Sequence, residues 1–280
     1  MDREIVLAVL MLAGAGASLA ACGRWPVPED EAVNARRLES RRWLILWRPT
    51  LPAAALVFWL IGWAFVEPEN AEVVPWSLAI LALLFSGVCI RALVRSIRRL
   101  RAPSHVPAYT AGLWHPKIVL STQLAAILDD EAREAVVAHE RAHARHRDPL
   151  RVWLAEICTD LQWPCSAATA RLHRWHEALE LARDEDTRRT GVDGADLAAA
   201  ILVAHRLGGH RSTAAAGRSA NEAVLRRRIA ALLAPLSDEP SPSRPRLAVR
   251  LALVSVCIGI AISGGVFGES LVRAFFRALP

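Results

Sequence analysis

Lysine is all but missing from this chain: of its 34 basic side chains, every one but Lys117 is arginine. Charged residues make up only 22% of the 280 positions, which excludes a disordered, charge-solvated chain. The five cysteines contain no C-x-x-C pair. That excludes a disulfide-stapled scaffold and a cysteine-based zinc ribbon. Cys22, Cys89 and Cys257 lie inside apolar runs and read as small core or lipid-facing residues, not as a disulfide frame. No internal repeat is present.

Apolar residues are abundant instead, at 53% with a mean hydropathy of +0.25. They gather in runs that a fully soluble enzyme does not have. Four runs, at about 5–22, 49–66, 74–90 and 251–268, are long enough to cross roughly 30 Å of hydrocarbon. The links between them are polarised. Residues 24–48 carry Arg24, Arg36, Arg37, Arg41, Arg42 and Arg48, and residues 91–101 carry Arg91, Arg95, Arg98, Arg99 and Arg101 with no acid. The short link 67–73 holds Glu67, Glu69 and Glu72 with no base. Basic loops mark the cytoplasmic side. The expected topology therefore places 24–48 and 91–250 in the cytoplasm of a bacterial-type inner membrane, with both termini outside. Much of the net charge of +6 is then topological, which argues against direct nucleic-acid binding. The first run has a second reading, because Leu19-Ala20-Ala21-Cys22 resembles a lipoprotein cleavage box. Its leader, Asp2-Arg3-Glu4, lacks a positive n-region, which favours a retained helix.

The expected fold is mostly α and polytopic. Residues 1–100 form a membrane domain with three spans, 101–246 a cytoplasmic domain ending in a Pro/Ser linker, and 247–280 a fourth span with a short outer tail. Within the middle block, residues 106–120 have short β-rich pieces, Tyr109 to Ala111 and Ile118 to Leu120, split by Gly112 and Pro116, which predicts a small hairpin. A helix then starts at Asp129 or Asp130 and runs to about Arg147, and Asp148-Pro149 reads as the cap and first turn of the next, to about Gln162. A third helix covers about 168–189, with Leu172, Trp175, Leu179 and Ala182 as its apolar stripe and Gly191 as its stop. Residues 207–218 read as a loop, and Ser219 with Glu222 as a capping box opening a helix to about Ala234.

Residues 139–143 read His-Glu-Arg-Ala-His. On a helix, i and i+4 place both imidazoles on one face, able to bind one zinc, with Glu140 beside them to take the proton of the attacking water. A catalytic zinc needs a third protein ligand. Glu180 on the third helix is the first candidate, with Asp184 one turn on as the carboxylate that orients a ligand histidine. His176, one turn before Glu180, is the alternative ligand. His146 and His173 read as surface residues, His115 as structural, Asp148 first as a helix cap, and Arg226–Arg228 as a solvated or membrane-surface face.

Four segments resemble the BlaR/MecR-type integral membrane zinc metallopeptidases: Gly112 to Leu120, Val136 to Asp148, Glu180-Leu-Ala-Arg-Asp184 and Leu225 to Ile229. The resemblance implies a gluzincin fold. It makes His139, His143 and Glu180 zinc ligands, Glu140 the base and Asp184 a supporting carboxylate. It also implies a substrate in the cytoplasm, a DNA-binding repressor in the sensor members, with self-cleavage and homodimer formation left open. The sensor members carry a penicillin-binding domain after the last span, but here about a dozen residues follow residue 268. The only lysine has Trp114 three residues before it, so no Ser-x-x-Lys acylation site exists in the chain. The alternatives are an HtpX-like quality-control protease, which shares HExxH and Glu-x-x-x-Asp but distributes its spans differently, and a non-catalytic transmembrane transducer.

Overall fold

A computed structural model of the protein describes residues 34–64, 76–101, 107–208, 215–236 and 254–267, with 16, 19, 20, 22 and 270 beside them. The described chain is mostly helical. In order it forms α1 (Ala35–Trp47), a 3-10 turn (Arg48–Thr50), α2 (Leu51–Ala64) and α3 (Trp76–Arg101). Then follow β1 (Ala108–Ala111), β2 (Lys117–Leu120), α4 (Thr122–Ile127), α5 (Asp130–His146) and α6 (Asp148–Leu161). The last are α7 (Ser166–Arg188), α8 (Gly194–Gly208) and α9 (Ala215–Leu233), with a further helix, α10, over 254–267.

Among the described residues, no helix is both long and apolar enough to cross a membrane. The expected span 5–22 lies almost wholly outside the described residues, and 49–66, 74–90 and 251–268 fall partly outside them. What the described parts show is close packing between α2 and α10. A Cβ built on Gly62 would stand 1.6 Å from the carbonyl oxygen of Ala261, and one on Gly264 would stand 1.9 Å from that of Trp59. Only glycine lets these two backbones meet, as at small-residue contacts between apolar helices. The third run continues without a break into its arginine-rich end, because α3 reaches Arg101. Arg91, Arg95 and Arg99, four residues apart, all turn toward Asp160 of α6 at 3.3, 3.0 and 2.7 Å. They dock the end of α3 on α6.

The hairpin forms where expected, antiparallel, with Ala108 opposite Leu120 and Ala111 opposite Lys117. Gly112 takes φ +94°, and its absent side chain leaves room for the His115 carbonyl. Helix α5 starts where its sequence says it should: Asp129 caps it by accepting from the Ala132 N–H at 2.8 Å. Acids fill its first turn and basic residues its last, complementing the helix dipole. It ends at Arg147, in the left-handed conformation at φ 53°. Arg147, not Asp148, is therefore the cap between α5 and α6, and the Asp148 side chain is available elsewhere.

Helix α5 is central. One face packs Ala132 and Val136 against Leu124, Leu128 and Ala200, under the hairpin. Ala135 meets Leu197, Ala198 and Leu232 of α8 and α9. A second core joins Leu46 of α1, Ala155 of α6, and Leu172, Trp175 and Leu179 of α7, which confirms the expected α7 stripe. Helix α8 was not anticipated: its run Leu197 to Ala204 is apolar on most sides, so it has a poor amphipathic signal. Helix α9 begins at Ala215, so Ser219 and Glu222 lie inside it and are not its cap.

One reading of the cysteines is corrected. Cys22 pairs with Cys165 in a disulfide, across 143 residues of sequence. Both apolar context and odd count concealed it, since pairing depends on the fold and not on spacing.

Candidate metal centre

The α5 stripe that buries Ala132, Ala135 and Val136 continues to His139 and His143, so helix packing itself turns both imidazoles inward. His139 is buried, and its Nε2 stands 3.1 Å from that of His143, with the rings edge-on at 77°. From α7, Glu180 Oε2 lies 3.5 Å from His139 Nε2, and Oε1 lies 3.7 Å from His143 Nε2. One donor atom from each of the three falls within 4.8 Å of the others. Ligand atoms about 2.0–2.1 Å from a tetrahedral zinc stand roughly 3.3–3.4 Å apart, so two imidazoles and this carboxylate fit the ion in spacing and in chemistry. His176 does not join them. Its ring packs on Trp175 with centroids 5.1 Å apart, and its Nε2 is buried without a hydrogen-bond partner.

Each histidine has a carboxylate behind it. His143 Nδ1 donates to Asp148 Oδ2 at 2.9 Å, which turns Nε2 toward the centre. His139 Nδ1 stands 3.1 Å from Asp184 Oδ1 but off the hydrogen-bond axis. Burial pushes the His139 pKa down, yet Asp184 and Glu180 outweigh it and lift it to about 9. A metal entering here therefore displaces a proton.

The carboxylates are held ionised by arginines. Arg228 of α9 forms a two-pronged pair with Asp184 at 2.8 and 2.8 Å and reaches Glu180 Oε2 at 3.0 Å. Burial raises both acids, but Arg228 reverses it and holds both below the usual carboxylate range. Asp148 follows the same logic. Burial pushes it up, and hydrogen bonds from His143 and Arg183 hold it well down. Beyond it, Arg183 reaches Asp186 at 2.7 Å, and Asp186 also takes His146 at 3.0 Å and pairs with Arg36. His146 is thus a paired, half-buried residue and not a free surface one.

Residues 95–232, which carry every residue of this centre, match the family described as BlaR1 peptidase M56. This part of the chain belongs to the BlaR1 peptidase family. No curated protein and no solved structure matches. The family is one of peptidases, membrane-associated and metal-dependent in type, and the centre is the one place among the described residues where three ligand side chains converge.

The sequence reading leaves Arg228 and Thr110 out of the centre and gives Asp148 only a secondary place in it. In sequence Arg228 groups with Arg226 and Arg227 as a solvated or membrane-surface run. Only those two are solvated, at 81% and 54% exposure against 15% for Arg228. The signal was present: Leu225, Arg228, Ile229 and Leu232 share the inward stripe of α9 at three- and four-residue spacing. Asp148 reads in sequence first as a cap, and its place five residues after His143 is the clue to its second role. Thr110, whose hydroxyl lies 2.7 Å from Glu140 Oε2, carries no such clue, because β1 meets α5 only in the fold.

Proposed function

We propose that this protein is a membrane-embedded zinc endopeptidase that cleaves a cytoplasmic regulator, a small DNA-binding repressor being the substrate class the family resemblance favours. The observation that carries the reading is the convergence of His139, His143 and Glu180 with Glu140 beside them. Zinc held there supplies Lewis-acid polarisation of a peptide carbonyl and acidifies the attacking water. Glu140 accepts the proton of that water and later passes it to the leaving amine. Asp148 and Asp184 keep the two histidines facing inward, and Arg228 keeps Glu180 ionised and therefore a competent ligand. The hairpin offers an extended peptide a strand edge beside the centre, recognising backbone with little side-chain demand. Catalytic roles for these residues and the cytoplasmic orientation form one proposal. The four apolar runs, their arginine-rich links and the glycine contact of α2 with α10 support its membrane part.

The test is zinc content per chain of detergent-purified protein, wild type beside Glu180→Ala and His176→Ala. About one zinc in the wild type and in the His176 variant, lost or weakened at least tenfold in the Glu180 variant, is the expected result. A well-folded wild type without zinc removes the enzyme reading, and zinc lost only from the His176 variant moves the third ligand.

A further inference from the structure

The base has a partner that the proposed chemistry does not mention. Thr110, in the middle of β1, places its hydroxyl 2.7 Å from Glu140 Oε2 and 3.0 Å from the Glu140 main-chain carbonyl. A hydroxyl has one proton, so only one of these contacts is a full hydrogen bond at a time. The carboxylate contact lies in the range of charge-assisted O–H···O bonds, while 3.0 Å is the outer limit for a hydroxyl donor. The proton therefore goes to Oε2. Glu140 itself is buried, at 8% exposure, so a wandering side chain could not simply exchange this contact for bulk water.

We infer that Thr110 is a positioning residue for the general base: its hydroxyl fixes Glu140 Oε2 and leaves Oε1 to receive the proton of the attacking water. The inference rests on the proposed peptidase reading. It follows from geometry. A carboxylate on a helix has three side-chain torsions, and a base must meet its proton within hydrogen-bond distance. Anchoring one oxygen removes most of that freedom without spending the other oxygen. Because β1 also forms the hairpin beside the centre, the same hydroxyl links the strand edge offered to substrate with the group that acts on it.

The experiment uses full-length, zinc-loaded protein in detergent, with fluorescein-labelled casein as the probe. Thr110→Val keeps the shape of the side chain and removes the hydroxyl, and Thr110→Ser restores it. The expected result is a kcat lowered roughly 10–100-fold in Thr110→Val, with KM and zinc content within about twofold of wild type, and recovery to within about threefold in Thr110→Ser. A second readout does not need activity. In thermal melting, the shift caused by Thr110→Val should shrink by at least half in a Glu140→Ala background, since the partner carboxylate is gone. Additive shifts, wild-type kcat in Thr110→Val, or a Thr110→Ser as impaired as the valine would each overturn the inference. If Thr110→Val does not fold, Thr110→Ala takes its place in both arms. A zinc-bearing wild type that cleaves no casein overturns the peptidase reading and the positioning role with it. The melting cycle still shows then whether the contact exists, so the two failures are told apart.

Discussion

Asp186 has no contact with the three ligand atoms, yet three basic side chains, His146, Arg183 and Arg36, converge on it. Burial works against its charge, but the hydrogen bond from His146 and the two arginines win and hold it at about 2, below its ordinary 3.8. A carboxylate with a depressed folded pKa contributes stability that is fully present above the unfolded value and is lost as pH falls through the folded one. The window here is therefore about pH 4 down to 2. Asp148 is shifted in the same direction and adds to the loss. Asp186→Asn should cost about 1–3 kcal/mol of stability at pH 7. In thermal melts the gap between variant and wild type should close as pH falls from about 4 to about 2. A gap that stays constant to pH 2 would mean that Asp186 carries no net charge-pairing energy in the fold.

At the level of elements, the hairpin and α5 are coupled through side chains that the hairpin alone does not explain. Ala108 and Leu120 close over Leu124, Val136 and Ala200, and this contact sets where Thr110 meets Glu140. The metal ligands instead depend on α5 against α7 and α9. Disturbing the hairpin should therefore separate the two functions. Ile118 faces Thr110 at a non-hydrogen-bonded pair, three positions on from the pair closed by the Ser121 N–H on the Pro107 carbonyl. Ile118→Pro therefore leaves the ladder bonds in place and removes an N–H from the outer edge of β2. Cleavage should fall at least tenfold while zinc content stays near that of wild type. Equal loss of both would show that the hairpin is needed to build the centre and not to present substrate. The sequence predicted the hairpin, α5, α6 and α7 to within a few residues, because each has turn residues or caps at its ends. It missed α8, whose apolar run carries little periodicity. It misplaced the start of α9, where a plausible capping box is overridden by helix on both sides of it.

For the whole molecule, the Cys22–Cys165 pair is the feature with most to say about placement. It joins the end of the first apolar run to the turn before α7, and Arg171 and Gln162 are buried around it. Closing so long a loop is worth at most about 5 kcal/mol in the chain-entropy view. Whether the bond persists is decided by compartment, since cytosolic thiols are kept reduced. The proposed cytoplasmic orientation thus makes a definite prediction. Cells lysed directly into an alkylating agent should yield Cys22 and Cys165 as labelled thiols, and mild oxidation of the purified protein should protect both and raise its melting temperature. Recovery of the disulfide from unstressed cells would put this block on the oxidising side and overturn the orientation.

Legible in the chain alone were the helices α5, α6 and α7, the hairpin that precedes the HExxH helix, and the two histidines that share a face with Glu140 near them. These follow from spacing, caps and apolar period, which act within a turn or two of the chain. The sequence also nominated Glu180 as third ligand, with Asp184 behind it, and kept His176, one turn away on the same helix, as the alternative. The fold brings Glu180 within 3.5 and 3.7 Å of the two imidazoles and leaves His176 packed on Trp175. It also brought Arg228 onto the carboxylates from 44 residues away, Thr110 onto the base from 30, and Cys165 onto Cys22 from 143. Contacts at such separation are set by how elements pack, and no local rule of the chain encodes them.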